Sequence, residues 1–160
     1  MSNDRPTPFT VADERTTLLD FLNYLRESII LKAKGLGDDE LRRPLVPSGT
    51  NLLGLVNHLA YVESVWFQYL FAGRDIDLPS DDFHPDANMS PTDVIARYEV
   101  AIVESNRIAA ETDLETLTRR EYKGTHLSLR WILVHLVEET SRHAGHADII
   151  RELIDGTTGR

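Results

Sequence analysis

Four separate stretches of this 160-residue chain set their apolar side chains three and four positions apart, and that spacing limits the fold more than any other feature. Leu18, Leu19, Leu22, Leu25, Ile29 and Ala33 make the first stripe, and Leu52, Leu55, Leu59, Val62, Trp66 and Phe67 the second. A period near 3.6 residues collects each set on one face of a helix, and such a face must be buried against other helices.

Start and stop signals set the boundaries. Thr10 followed by Asp13 reads as a capping box opening the first helix, which ends near Gly35 and Gly37. A short helical turn at DDELRRP is stopped by Pro44, and VPSGTN supplies a loop with Thr50 as the next cap. The second long helix covers residues 51–71, with Gly73 just past its end. GRDIDLPSDDFHPDANM is the longest irregular stretch. Ser90, Pro91 and Asp93 open the third long helix, which continues to about Glu111. A polar connector follows, with a short helical turn expected near LETLTRRE. The fourth long helix begins near Ser128 and reaches Leu153, where Asp155 and Gly156 end it; at 1.5 Å per residue it is roughly 39 Å long. No stretch has a convincing period of two and nothing repeats. The expectation is an all-α four-helix bundle in one domain over residues 1–160, with residues 1–9 a loosely attached tail.

Composition narrows the partners. The net charge is −9 and no block of Lys or Arg is present, which argues against nucleic acid and against anionic membrane surfaces. There is no apolar run of about 18 residues and no basic-then-apolar amino terminus, so neither a membrane span nor a secretory signal is expected, and the reading is cytoplasmic. The chain has no cysteine, which excludes disulfides, thiolate metal ligands and a cysteine nucleophile of its own. Any thiol chemistry must use a thiol brought in from outside.

The fourth helix carries an unusual set of ionisable residues. At about 100° per residue, His135 lies near −40° from Glu139, His143 near +40° and His146 near −20°. Ile132 and Ile150 both lie near +20° and close the stripe at its two ends. Such a stripe is expected to face the bundle interior, where an unpartnered carboxylate or imidazole loses several kcal/mol of hydration. Glu139 and His143, one helical turn apart, suit a shared divalent cation. His58 sits between Leu55 and Val62 on the apolar side of the second helix and is a third donor from a neighbouring element. Each of these has a plainer reading: a hydrogen-bonded core histidine for His58, a surface pair for Glu139 and His143, outer or packing residues for His135 and His146. His84 and His126, in loops, are expected to be solvated.

The segments LLGLVNHLAYVESVWF and LRWILVHLVEETSRHAGHADIIRELIDG, in this order and separation, resemble the DinB-like superfamily, specifically the branch that includes the mini-circle protein of a Streptomyces insertion element. The resemblance implies a four-helix bundle, commonly a homodimer, with a divalent metal held by His58, Glu139 and His143. Many members carry histidine where this chain has Glu139. Those with glutamate include the mycothiol-dependent maleylpyruvate isomerase and mycothiol S-transferases, which implies a low-molecular-weight thiol such as mycothiol as co-substrate.

An N,N,O ligand set suits zinc, with nickel and manganese also compatible, and leaves a coordination position open. The leading expectation is therefore a metal-dependent, thiol-dependent S-transferase or isomerase acting on a small electrophile. In it His146 orients a ligand or relays a proton, and Arg151 steadies an anionic part of cofactor or substrate, unless Arg151 simply pairs with Asp148 or Asp155. The rival expectations are a non-catalytic metal-containing dimeric bundle and a metal-dependent hydrolase.

Overall fold

A computed structural model describes residues 6–8, 11–78 and 82–159. Helix α1 spans Glu14–Ala33, α2 Asp38–Arg42, α3 Leu52–Glu63, α4 Pro91–Glu111 and α5 Leu129–Asp155. No strand is formed among the described residues. None of the helices is long and apolar enough to cross a membrane.

The caps explain where the helices begin. Asp13 itself is the cap of α1, its carboxylate accepting a hydrogen bond from the Thr16 amide, whereas Thr10 lies outside the described residues. Helix α3 is capped by Asn51 and not by Thr50: the Asn51 side chain accepts from the Gly54 amide, while the Thr50 hydroxyl is engaged with Ser48. Ser90 and Ser128 cap α4 and α5 as their sequence positions indicate.

Two expectations need correction. The second long helix is not α-helical throughout, because it continues from α3 as a π-helix over Ser64–Phe71. Trp66, Phe67, Leu70 and Phe71 are all buried there, and their spacings of four and five residues suit either winding, so periodicity does not distinguish them. The connector after α4 forms no helix, only a single turn closed by the Thr116 amide on the Asp113 carbonyl at 3.1 Å. It folds back as a small hairpin, with antiparallel bridges Leu117 to Ser128 and Tyr122 to Thr125. Lys123 and Gly124 both have positive φ, the two-residue turn that suits the twist of paired strands, and glycine lowers its cost.

Helix α1 packs chiefly on α5 and α3 on α4, and α3 also meets α1 and α5, which makes it the central helix. The core has two apolar halves. One contains Ile29, Leu52, Leu55, Leu59, Tyr98, Ala147 and Ile150. The other contains Leu22, Phe67, Ile108, Leu129, Leu133 and Leu136. Between the halves each long helix carries a buried polar residue: Arg26 on α1, Glu63 on α3, Ser105 on α4 and Thr140 on α5. Arg26 and Glu63 form a two-pronged pair, 2.6 Å on each arm, with both side chains 1% exposed.

Candidate metal centre

His58, Glu139 and His143 converge. Their donor atoms all lie within 4.8 Å of one another. Glu139 Oε1 stands 3.1 Å from Nε2 of His58 and 3.1 Å from Nε2 of His143. Both imidazoles are buried, and Glu139 is half-buried at the edge of the core. The step of one turn on α5 and the inward position of His58 on α3 bring the three together as the spacing implies.

Each imidazole is held from behind. Asp82 Oδ2 lies 2.7 Å from His58 Nδ1. A carboxylate can only accept, so Nδ1–H donates to Asp82, and Nε2 is the nitrogen presented to Glu139, the one a bound cation would take. Nδ1 of His143 is 3.4 Å from Nδ1 of His146, and the two rings meet edge to face. Phe83 stacks on His58 with ring centroids 4.0 Å apart.

Asp82 and Phe83 belong to the irregular stretch after α3, and helical periodicity says nothing about them. What fixes them is the surface of α3. Asn57 donates to the Asp82 carbonyl at 2.8 Å. A Cβ at Gly54 would overlap the Phe83 carbonyl, so only glycine lets the loop lie this close. Gly54, Asn57 and His58, at spacings of three and four, are thus a docking strip for one loop. A glycine and an asparagine on an otherwise aliphatic helix face are the signal that could have found it.

The electrostatics favour ligation. Burial pushes the Glu139 carboxyl up, but the hydrogen bond from His58 and the neighbouring His143 outweigh it and hold the group below its ordinary range. For His143, burial is the largest influence and lowers its pKa, and Glu139 offsets this only in part. A neutral imidazole with a free lone pair and an ionised carboxylate are the forms that bind a cation. The residues therefore fit a divalent ion of the kind that takes N and O donors.

The remaining histidines of the stripe do not join the cluster. The buried side chains of α5 (Leu129, Ile132, Leu133, Leu136, Thr140, His143, Ala147 and Ile150) fall between about +20° and +120° from Glu139. His135 and His146 lie on the opposite side of Glu139, at the edge of the buried arc, so the expectation that the whole stripe points inward is corrected. His146 is exposed, and its Nδ1 faces Nδ1 of His143, on the far side of that ring from the nitrogen nearest Glu139. His135 packs between Trp66 and Trp131, away from the donors. His126 is exposed, with Nδ1 2.7 Å from the Thr118 carbonyl oxygen. His84 is also exposed. Arg151 binds the Lys32 and Lys34 carbonyls at the end of α1, 2.8 Å each, and pairs with Asp155, while Asp148 pairs instead with Lys32.

Comparison with known proteins agrees with this architecture. No curated protein matches the chain. A conserved protein of Enterococcus faecalis of known crystal structure superposes with a TM-score of 0.63 at 14% identity, covering 92% of this chain and 100% of the other, a likeness of fold alone. Residues 17–156, nearly the full run from α1 to the end of α5, match the Mycothiol-S-transferase family, and the chain belongs to that family.

Proposed function

We propose that this chain is a metal-dependent mycothiol S-transferase, with His58, Glu139 and His143 as the ligands of one divalent cation, zinc in the first instance. The observation that carries the reading is the convergence of three lone-pair donors on one point, with the His58 ring oriented from behind by a carboxylate. When bound, such a cation supplies an open position at which a thiol is held as thiolate at neutral pH.

The chain's own residues supply the rest. Asp82 fixes the His58 tautomer, and burial keeps His143 neutral. The Glu139 carboxylate offsets one unit of the cation's charge, which keeps the sulfur nucleophilic. We assign His146, exposed beside His143, to pass the thiol's proton to solvent. With the cation in place, the thiolate sulfur would bond to an electrophilic carbon, and the leaving group would depart with the electron pair of its old bond.

The experiment is elemental analysis followed by turnover. Wild-type chain should carry about one divalent ion per chain, and His58→Ala and Glu139→Ala should each lose it. Loaded wild type should consume mycothiol with an alkyl halide faster than the uncatalysed reaction, and a chelator should abolish the difference. Metal binding without thiol consumption would overturn the transferase reading; release of hydrolysed product in its place would favour water as the nucleophile.

A further inference from the structure

A cavity of about 360 Å³ opens beside the donor cluster, lined by Val46, Ser48, Thr50, His146, Ile149 and Ile150. None of the three donors lines it, but His146 does, and its ring lies 5.4 Å from that of His143. A volume in this range accommodates a small organic molecule. Arg151, the residue expected to steady an anionic part of cofactor or substrate, has its guanidinium committed to two backbone carbonyls and Asp155. Among the described residues, no Lys or Arg lines the cavity.

The wall that remains is aliphatic. Its two hydroxyls, of Ser48 and Thr50, lie 2.9 Å apart and bond each other. Ile149 is 58% exposed, a large apolar side chain that the folded core does not use. A second cavity of about 290 Å³, lined by Gly49, Asn51, Phe83 and His84, shares Ser48 and Thr50 with the first. The loop 46–51 thus lies between two cavities, one walled by α5 and the other by Phe83 and His84.

We infer that the cavity walled by Val46, Ile149, Ile150 and His146 binds the uncharged alkyl or aryl body of the electrophile, and that this enzyme discriminates against anionic electrophiles. The inference rests on the thiol-transfer reading for its chemistry, but the cavity can be probed without it. In the transfer, the carbon held here gains a bond to sulfur and loses its halide or equivalent leaving group. An anionic group seated in this cavity would shed its hydration against an aliphatic wall, with no Lys or Arg among the described lining residues to receive it.

The test uses the full metal-loaded chain. Turnover with mycothiol is compared for benzyl bromide and bromoacetate, each corrected for its uncatalysed rate. Binding of the uncharged dye N-phenyl-1-naphthylamine and of anionic anilinonaphthalene sulfonate is measured by fluorescence without thiol. Benzyl bromide and the uncharged dye should each be preferred by about tenfold or more, and Ile149→Asp should remove about tenfold from both while leaving metal content unchanged. Because Ile149 is exposed, the variant is expected to fold; Ile149→Arg provides the opposite arm and should shift preference toward bromoacetate. Equal or better turnover of bromoacetate, or dye binding indifferent to both Ile149 variants, would overturn the inference and leave the transferase reading standing. Uncharged-dye binding that Ile149→Asp weakens, with no thiol-dependent turnover of either halide, would sustain the cavity assignment and sink the transferase reading.

Discussion

The bundle buries two clusters of ionisable side chains, and they are built on opposite principles. In the Arg26–Glu63 pair a cation meets an anion through two parallel hydrogen bonds, and the third guanidinium nitrogen reaches Asn23 and Asn106 at 2.8 Å each. Every charge is answered within the chain. At His58, Glu139 and His143 one carboxylate meets two imidazoles, and the three bring potential ligand atoms to a common point. A closed set of charges holds helices together, whereas an open set of donors is suited to receiving something from outside.

The contrast should be largest in stability. Glu63→Ala leaves the Arg26 charge buried and uncompensated, which is expected to cost about 3–5 kcal/mol. In a domain of this size that lowers Tm by about 2–4 °C for each kcal/mol. Glu139→Ala in chelator-treated protein should cost much less, because the side chain sits at the rim and burial favours the neutral form of its partner His143. Urea titration of the two variants decides the matter, and equal losses would erase the distinction between architecture and binding site.

Metal removal should reverse the ranking. With free cation at about a hundredfold excess over Kd, a site present only in the folded chain adds about 2.7 kcal/mol. Glu63→Ala should retain that chelator-sensitive increment, and Glu139→Gln should lose it. Melting curves with and without chelator measure both.

The next effect sharpens the site itself. Asp82→Asn preserves the shape of the side chain but removes the charge behind His58, and such changes weaken metal affinity by about 10–100-fold. Gly54→Ala should act in the same direction by displacing the Phe83 carbonyl and the loop that carries Asp82. Competition against a chromophoric chelator reads both variants. Affinity unchanged in both would show that the loop merely covers the site.

The sequence made the three donors legible for a simple reason: two lie on one helix at a spacing of four, and the third interrupts an apolar stripe on another. Arg26 carried the same kind of signal, falling four residues after Leu22 and three before Ile29, directly on the stripe of α1. The orientation of Glu139 was harder to place, since a helical wheel gives relative angles but not the centre of burial. That centre lies toward Leu136, Thr140 and Ala147, which leaves His146 outside. Asp82 and Phe83 were beyond periodicity altogether, because loop placement depends on the surface it lands on. The π-helix was hidden by side-chain spacings that both windings satisfy.

The smallest expected effect is a pH slope that belongs to one cluster only. In chelator-treated protein, burial lowers the folded pKa of His143 beneath its ordinary 6.5. Below about 6.5 the unfolded chain therefore binds a proton that the folded chain refuses, so stability falls with pH through this window and is unaffected above it. Glu139, also lowered, contributes stability that is present above its ordinary 4.5 and is lost only as pH falls through its folded value. The first loss on acidification is thus due to the imidazole. His143→Gln should flatten the decline in Tm between about pH 7.5 and about pH 5.5, and parallel curves for variant and wild type would contradict the buried neutral ring. Loaded wild type should fall more steeply over the same range, because protons then compete with the cation for the same lone pairs.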